Sequence, residues 1–382
     1  MDAPLEIFLA CPPGLEPLLA AEAGDLGLAE VTAVAGGVEA RGDWPAIWRA
    51  NLWLRGATRV LVRIAQFRAV HLAQLDKRAR KIDWPALLPP GSAIAVEASC
   101  RRSRIYHDRA AAERVARAAA HGASASIVAT GETDAAEPPL KLLLRIESDL
   151  CTLSLDTSGA PLHRRGHKQA VSKAPMRETM AALFLRAAGY RPGETVADPM
   201  CGSGTFALEA AEITAGLAPG RDRAFAFERL SPFDPMAWSE LRTAALAAAP
   251  ATPPGDGPMA FGSDRDAGAV RSARENAARA GVDALTQFDC HAISDFQPPD
   301  APPGLVIVNP PYGGRIGEKG RLTPLYGALG RVLAERFRAW RVGVVTSEDS
   351  LARATRLPFL KPGPPIPHGG LRVRLWQTDR LP

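Results

Sequence analysis

Two short loops, each directly after a strand-like run, place the strongest limit on how this 382-residue chain folds. The first loop, residues 198–205, follows the run 194–197, and the second loop, residues 309–312, follows the run 304–308. Short runs of this kind that end at Gly- or Pro-containing loops are typical of strands buried in a sheet. In an open α/β sheet, the loops at the carboxyl ends of the strands hold the ligands. The sequence therefore predicts a doubly wound α/β sheet with both loops at its ligand-binding edge.

The first loop has a backbone suited to a nucleotide-like ligand. Its residues are Asp198, Pro199, Met200, Cys201, Gly202, Ser203, Gly204 and Thr205. The two glycines carry no Cβ atom, so the chain can turn sharply and a ligand can approach the backbone closely. Residues 205–215 predict a helix, and the free N–H groups at its start suit a carboxylate. Ala207 stands where a dinucleotide-binding loop would have a third glycine, which disfavours that class of site. A plain strand-to-helix turn is the alternative explanation.

A carboxylate follows another predicted strand, residues 258–262. Asp264 lies where that strand ends, before a predicted helix over residues 265–280. A carboxylate at this place can accept both hydroxyl groups of a ribose, because it offers two acceptor oxygens. The alternative is that Asp264 or Asp266 simply caps the helix that follows.

The second loop, Asn-Pro-Pro-Tyr, carries acceptors for an amino group. The Asn309 side-chain oxygen and the Pro310 carbonyl can bind the two N–H groups of a planar exocyclic amine and favour a pyramidal nitrogen. Tyr312 can stack on a nucleobase taken out of its helix or loop. A rigid turn is the alternative, since Asn-Pro is a common breaker of regular structure. The two loops together predict methyl transfer to an amine, with the carboxylate of S-adenosylmethionine at the first loop.

The chain also resembles a known family. Residues from about 160 to 382 resemble the class I S-adenosylmethionine-dependent methyltransferases that modify amino groups of nucleic acids. Over nearly its full length the chain is similar to the bacterial 23S ribosomal RNA guanine-N2 methyltransferases that carry an N-terminal THUMP domain. Outside the two loops, the matching stretches are Gly14-Leu15-Glu16, Gly36-Gly37-Val38, Gly42-Asp43, Leu153 to Gly159, Leu162 to Gly166, Ala174-Pro175 and Arg177-Glu178-Thr179.

This resemblance implies a cofactor, a substrate and three regions. The cofactor is S-adenosylmethionine, held by the first loop, by Asp264 and by His291, which stands where the family often has an acid. The substrate is the exocyclic N2 amine of a guanine in 23S ribosomal RNA or a ribosome assembly intermediate. The regions are a ferredoxin-like plus THUMP RNA-binding part over residues 1–160, a basic linker over residues 161–175 and a class I methyltransferase domain over residues 176–382. His167 is a second departure, at a place where the family usually has Tyr.

The element pattern agrees with an α+β front region. We expect strands at residues 5–10, 31–40 (a pair), 59–65, 140–146 and 151–156, and helices at residues 13–26, 44–54 and 108–120. Further strands of the second region are expected at residues 342–346 and 371–376. Pro/Gly-rich segments at residues 217–235 and 250–258 bracket an insertion whose composition predicts a surface excursion.

Composition excludes several classes of protein. The hydrophobic content of 46% allows full cores, yet no apolar run is long enough for a membrane span. The N-terminus has acids and no basic segment, so we expect no signal peptide. Five dispersed cysteines without C-x-x-C spacing favour a reducing cytoplasm and argue against zinc, and we expect no metal site.

Positive charge is concentrated where the two regions join. Residues 1–160 hold 18 basic and 19 acidic residues, residues 161–186 hold 6 and 1, and residues 187–382 hold 22 and 21. A basic strip of this kind favours contact with phosphates. The residues assigned to RNA contact are Arg101, Arg102, Arg104, Arg164, Arg165 and Lys168. Tyr106 and His107 support the choice of the 101–104 cluster because aromatic rings can stack on bases. An ordinary exposed face is the alternative for this cluster and for the basic run 77–81.

Three functions remain open on these grounds. The favoured one is methylation of a guanine N2 in 23S ribosomal RNA. The first rival keeps the chemistry on a tRNA guanine or, with less support, on a DNA adenine or cytosine, because Asn-Pro-Pro-Tyr selects an amine and not a base. The second rival is a non-catalytic RNA or ribosome assembly factor.

Overall fold

The computed structural model describes residues 4–128, 137–167, 176–248, 257–313 and 319–382, without the side chains of 319–321. The chain divides into two compact units. The first unit comprises Met1–Cys11, Ala20–Leu162 and Arg223–Arg242, and the second comprises Pro12–Leu19, His163–Asp222 and Thr243–Pro382. The division therefore differs from a single boundary near residue 160. Residues 12–19 belong to the second unit, and residues 223–242 belong to the first.

The strands in chain order are β1 Leu5–Ala10, β2 Ala29–Val34, β3 Gly37–Gly42, β4 Arg59–Arg68, β5 Ala93–Arg101, β6 Ser126–Ile127, β7 Leu140–Glu147, β8 Leu150–Asp156, β9 Val196–Asp198, β10 Ala260–Asp264, β11 Thr286–Cys290, β12 Leu305–Val308, β13 Arg341–Thr346, β14 Ile366–His368 and β15 Leu371–Gln377. The α-helices are α1 Glu16–Asp25, α2 Trp44–Trp53, α3 Leu72–Ala79, α4 Asp108–Ala123, α5 Glu178–Ala187, α6 Thr205–Thr214, α7 Pro235–Ala248, α8 Ala267–Ala280, α9 Lys319–Arg336 and α10 Asp349–Ala354.

The first unit is built on one sheet with the order β2-β3-β1-β4-β8-β7-β5-β6. Its first four strands, with α1 and α2 between them, follow the chain order β-α-β-β-α-β of a ferredoxin-like fold. The antiparallel pairing of β4 with β8 continues the sheet into the second half of the unit. Strand β7 shows why these segments form strands: Leu142, Leu144 and Ile146 are buried while Arg145 between them is exposed, which is the period of two of a pleated strand.

Residues 223–242 complete the core of the first unit. The Phe227 ring lies 5.0 Å from Trp238 and 6.0 Å from Trp48, measured between ring centroids, and Phe225 stacks on Phe227 at 5.2 Å. The Phe227 N–H also donates to the Thr157 carbonyl at 3.0 Å. The prediction of a surface excursion was therefore wrong for this segment. Aromatic side chains bury large apolar areas, and their clustering over residues 225–238 was the sequence feature that indicated a core.

The second unit contains the predicted doubly wound sheet, with the order β11-β10-β9-β12-β13-β15-β14. Strands β9 to β13 run parallel, and β15 is antiparallel to both β13 and β14. Strand order reverses between β9 and β12, and such a switch point is where open α/β sheets form their ligand crevice. Strand β12 is buried along its whole length, as its continuous apolar run Leu-Val-Ile-Val predicts.

Within the described ranges, no helix is both long and apolar enough to cross a membrane. The same residues contain no group of three or more His, Cys, Asp or Glu side chains arranged to hold a metal ion.

Helix α9 packs against the end of α10 through a glycine. A Cβ atom added at Gly330 would lie 1.8 Å from the Thr355 carbonyl oxygen, whereas one added at Gly327 would have nothing nearer than the Ala354 carbonyl oxygen at 3.8 Å. Backbone atoms cannot rotate away as the end of a side chain can, so the Gly330 position requires a residue without Cβ.

We predict that Gly330→Ala lowers the free energy of unfolding by about 1–3 kcal/mol or more, as overpacking does. Gly327→Ala, one turn earlier in the same helix, should be neutral or stabilising by up to about 1 kcal/mol, because Ala is the better helix former. Denaturant unfolding of the two variants measures the difference. Equal stabilities would show that α9 and α10 are not packed this closely.

Candidate active site

A cavity of about 520 Å³ lies at the switch point of the second unit's sheet. It brings together loops that the sequence predicted to meet. The predicted residues that line it are Asp198, Pro199, Met200, Cys201, Gly202, Ser203, Thr205, Asp264, His291, Asn309, Pro310 and Tyr312. Lining residues that the sequence analysis did not name include Met176, Phe206, Arg265 and Ile293.

The first loop turns on its two glycines. Gly202 and Gly204 have φ values of +53° and +87°, a region that residues with side chains rarely adopt. Gly204 is the predicted residue that does not line the cavity, because it lies behind the loop, where an added Cβ would be 3.1 Å from Ala273 and 3.2 Å from Phe288. The loop is tied to the next strand by the Cys201 N–H, which donates to the Ser263 carbonyl at 2.9 Å.

Asp264 is held in place by backbone donors on both carboxylate oxygens. The Gly202 N–H donates to Oδ2 and the Asp266 N–H donates to Oδ1, each at 3.0 Å. Each oxygen keeps a further lone pair for a ligand hydroxyl. The cap of α8 is Asp266, whose side chain accepts from the Gly268 and Ala269 N–H groups. The helix-cap alternative therefore applies to Asp266 and leaves the carboxylate of Asp264 beside the cavity.

Asp198 differs from Asp264 in its surroundings. Its side chain is buried, and this burial, together with the nearby Asp264 carboxylate, raises the pKa of Asp198 to about 8. The hydrogen bond from the Met200 N–H lowers this pKa but does not offset the burial. The carboxyl is therefore mostly protonated at neutral pH. Burial likewise raises the pKa of the Cys201 thiol well above its usual value, so this cysteine is poorly suited to be a nucleophile.

A buried amide fixes the far side of the loop. The Asn276 Nδ2 donates to the Ser203 carbonyl at 3.1 Å, and the Asn276 Oδ1 accepts from Arg279 at 2.6 Å. Arg279 also donates to the His167 carbonyl at 2.7 Å. The loop is thus connected through α8 to His167, within the predicted linker. Sequence reasoning did not find Asn276, because a polar residue in an amphipathic helix is more often exposed.

The second loop presents an acceptor that nothing yet uses. The Asn309 Oδ1 is buried, and no residue of the described ranges donates a hydrogen bond to it. A buried polar atom without a partner costs free energy, so a ligand that donates a hydrogen bond to this oxygen would remove that cost. Pro310 is buried and Tyr312 is half-buried beside the cavity, where burial raises the pKa of the Tyr312 hydroxyl to about 12.

The linker arginines have different surroundings. Arg164 is exposed. Arg165 is buried, and its guanidinium pairs with the buried Glu209 of α6 at 3.2 Å. The prediction that Arg165 contacts RNA was wrong for this reason: its charge is already used inside the second unit. Lys168 lies outside the described residues.

The 101–104 cluster lies on the first unit. Arg101, Arg102 and Arg104 are all exposed at the end of β5. Arg102 pairs with Glu147 at 2.6 Å, so part of its charge is neutralised locally. The role of the cluster in RNA contact stays a prediction.

The pKa of Asp198 generates a test of pH dependence. The folded pKa of about 8 lies above the ordinary value of 3.8, so the folded protein holds a proton that the unfolded chain loses between these two values. Stability from this group is complete below about pH 4 and is lost as pH rises to about 8.

We predict that Asp198→Asn, which keeps an acceptor for the Met200 N–H but cannot ionise, gains stability relative to the parent protein as pH rises from 4 to 8. Thermal unfolding of both proteins across this range, without ligand, measures the gap. A gap that does not change with pH would mean that Asp198 is ionised in the folded protein.

Comparison with known proteins adds the family. Residues 165–360, more than half of the chain, match the family model described as "RMKL-like, methyltransferase domain". Residues 6–61 match the model of the "RlmL ferredoxin-like domain", which confirms the ferredoxin-like part of the predicted front region. The THUMP assignment for the rest of that region stays a prediction.

Several relatives cover nearly the whole chain. "Ribosomal RNA large subunit methyltransferase K/L" of Syntrophotalea carbinolica is 39% identical over 92% of this chain, which spans 50% of that relative's length. "Putative RNA methyltransferase slr0064" of Synechocystis sp. is 32% identical over 96% of this chain and 94% of its own. The solved structure of "SMU.472, a putative methyltransferase complexed with SAH" has a TM-score of 0.88 and 27% identity, with both chains covered completely. On this evidence the chain belongs to the RMKL-like methyltransferase family.

Proposed function

We propose that this chain transfers a methyl group from S-adenosylmethionine to the exocyclic N2 amine of a guanine in 23S ribosomal RNA, in the cytoplasm. The observation that carries the proposal is the unpartnered Asn309 Oδ1 in the same cavity as the glycine loop and Asp264. The ribosomal substrate follows the K/L relatives, of which this chain spans about half the length.

The residues of the cavity fit S-adenosylmethionine. The loop 198–205 leaves room for a ligand against its backbone, and Asp264 keeps lone pairs for the two ribose hydroxyls. His291 lies along the cavity after β11, where its imidazole can hydrogen-bond the adenine. SMU.472, with the same fold at a TM-score of 0.88, was solved with SAH, the product that remains after methyl transfer. When bound, S-adenosylmethionine supplies a methyl group on a positively charged sulfur.

The second loop prepares the amine. The lone pair of a guanine N2 is conjugated with the ring and therefore a weak nucleophile. Asn309 Oδ1 and the Pro310 carbonyl accept its two N–H groups, which favours a pyramidal nitrogen with a localised lone pair. Orientation of this kind can lower a barrier by up to about 7–11 kcal/mol in the best cases. Tyr312 stacks on the extruded base, and its raised pKa keeps the phenol neutral.

No strong base is required from the chain. The proton on the nitrogen becomes acidic once the methyl group has arrived, so water or a backbone carbonyl can take it. This agrees with the acceptors beside the amine, which are an amide and a carbonyl, and with the mostly protonated Asp198.

The substrate is tested by transfer of tritiated methyl to total RNA from a strain that lacks the protein. We expect the label in N2-methylguanosine of 23S ribosomal RNA. Label in tRNA would keep the chemistry and change the substrate, and label in an adenine or cytosine would replace guanine.

We predict that Asn309→Ala lowers the single-turnover rate of methyl transfer by about 10²–10³, since it removes one polar contact that matters in the transition state. Its affinity for cofactor and RNA should stay close to that of the parent. Asn309→Asp, which keeps an acceptor oxygen at the same place, should retain more activity than the alanine variant. Near-normal turnover of Asn309→Ala would make the loop a structural turn.

We predict that Asp264→Ala weakens binding of S-adenosylhomocysteine by about 5- to 150-fold, because two hydroxyl partners are lost at about 0.5–1.5 kcal/mol each. Isothermal titration calorimetry measures the loss, with Asp300→Ala, an exposed loop residue, as the control of equal charge. Unchanged affinity would place the ribose elsewhere.

A further inference from the structure

We propose that a basic groove beside α3 in the first unit is a phosphate-binding pocket for the sugar-phosphate backbone of the RNA substrate. This inference rests on the proposed function for the identity of the polyanion. The groove, called here the α3 pocket, has a volume of about 520 Å³ and is lined by Arg68, Ala69, Val70, Gln74, Lys77, Arg78 and Lys81.

The α3 pocket has rigid walls. Helix α3 is anchored through Leu75 and Ala79, which are both fully buried. The turn between β4 and α3 is fixed by the Ala69 N–H, which donates to the Asp149 carbonyl at 3.0 Å, and by the Val70 N–H, which donates to Gln74 Oε1 at 2.9 Å. The backbone on both sides of the groove is therefore held by contacts within the first unit.

Four cations converge on this groove. Arg68 comes from the end of β4, and Lys77, Arg78 and Lys81 come from the last turn of α3 and just beyond it. All four side chains are exposed, no carboxylate lines the groove, and in the described part of the chain none of the four forms a salt bridge. Arg68 has one weak contact, to the Ser148 carbonyl at 3.4 Å.

A structural explanation covers this arrangement only in part. Basic side chains at the carboxyl end of a helix interact favourably with its dipole, which accounts for Lys77 and Arg78. It does not account for Arg68, which belongs to a strand and faces the same groove. Arg80 shows the alternative arrangement on the same helix, since it pairs with Asp76 at 2.9 Å. Four like charges without a counterion repel one another, and a bound polyanion removes that repulsion.

Strand register places the α3 pocket and the 101–104 cluster at the same end of the sheet. Arg68 pairs with Leu150 of β8, Leu150 pairs with Glu147 of β7, and Glu147 pairs with Arg101 of β5. Neighbouring strands are about 4.8 Å apart, so about 14 Å separate the backbones of Arg68 and Arg101. One RNA strand of a few nucleotides spans this distance.

An aromatic pair next to the 101–104 cluster favours RNA over an acidic protein. The Tyr106 side chain is 71% exposed, and its ring lies 4.1 Å from the His107 ring, measured between centroids. Exposed rings next to cationic side chains are the combination by which proteins bind single-stranded nucleic acid, with bases on the rings and phosphates on the cations. An acidic peptide has no bases to stack on these rings.

The test uses the full chain and a fluorescein-labelled hairpin of 23S ribosomal RNA, with anisotropy measured over a range of salt concentrations. The test variant is Lys77→Ala/Arg78→Ala/Lys81→Ala. Each lost phosphate contact lowers the slope of log affinity against log salt by about 0.7–0.9, so we expect a slope smaller by about two. Arg68→Ala alone should lower the slope by about one, and it leaves α3 unchanged.

The matched control is Arg41→Ala/Arg117→Ala/Lys141→Ala. It removes the same number of charges from the first unit, but each of these side chains pairs with a glutamate: Glu30, Glu113 and Glu97. We expect its salt slope to stay within about half a unit of the parent, and thermal unfolding checks that every variant is folded. Equal effects of the two triple variants, or no effect of the first, would overturn the pocket.

Two further outcomes separate the inferences. A parent protein that transfers no methyl to RNA, yet loses salt slope in the test variant alone, would refute the proposed function and support the pocket. Normal transfer with an unchanged slope in the test variant would refute the pocket and leave the function in place.

Displacement of the RNA by polyglutamate at equal charge concentration would assign the groove to an acidic protein and overturn RNA as its ligand.

Discussion

The pairing of β9 with β12 is the contact on which the site depends. Leu305 pairs with Val196 and Val306 with Ala197, so two loops that are a hundred residues apart in sequence begin side by side. The strands can approach this closely because Gly304 has no Cβ: an added one would lie 2.0 Å from the Thr195 carbonyl oxygen. The order of strands reverses at this pair, which opens the crevice between the loops. A residue with a side chain at position 304 would push apart the strands that hold the loops 198–205 and 309–312, although it lies in neither loop.

In the proposed function the site acts by the placement of hydrogen-bond acceptors, and its electrostatics follow from burial. Asp198 and Asp264 end neighbouring strands, yet the first is buried and mostly protonated while the second is accessible with two fixed oxygens. The Asp198 carboxyl thereby stabilises the loop 198–205 without adding a second negative charge beside Asp264. In the proposed reaction Asn309 contributes an uncharged acceptor, which does not take up the proton that the amine loses. The division explains how two acids and one amide can occupy a single small cavity.

Strands that follow from a continuous local pattern could be predicted from the sequence. Contacts between residues that are distant in the sequence could not. The strands with uninterrupted apolar runs, such as β12, and the convergence of both loops were predictable. Strand β11 was not, because its sequence Thr-Gln-Phe-Asp-Cys buries only Phe288. The burial of Arg165 depends on Glu209, which lies 44 residues away, and the role of Asn276 depends on a carbonyl of a distant loop. Neither relation leaves a local trace. The aromatic residues at 225–238 did leave a local trace, but the proline and glycine content around them favoured the prediction of a surface excursion.

The interleaving of the two units along the chain has a consequence for synthesis on the ribosome. Trp48 packs against Phe227, and residues 163–222, which belong to the other unit, are made between them. The ferredoxin-like strands can pair as they emerge, but this part of their core has to wait until the whole loop 198–205 and α6 have also been translated. Contacts between residues so distant in sequence close slowly, because a long loop must be ordered first. Neither unit can be moved as one uninterrupted gene segment, so recombination that joins such a front half to a different enzyme has to carry residues 223–242 with it.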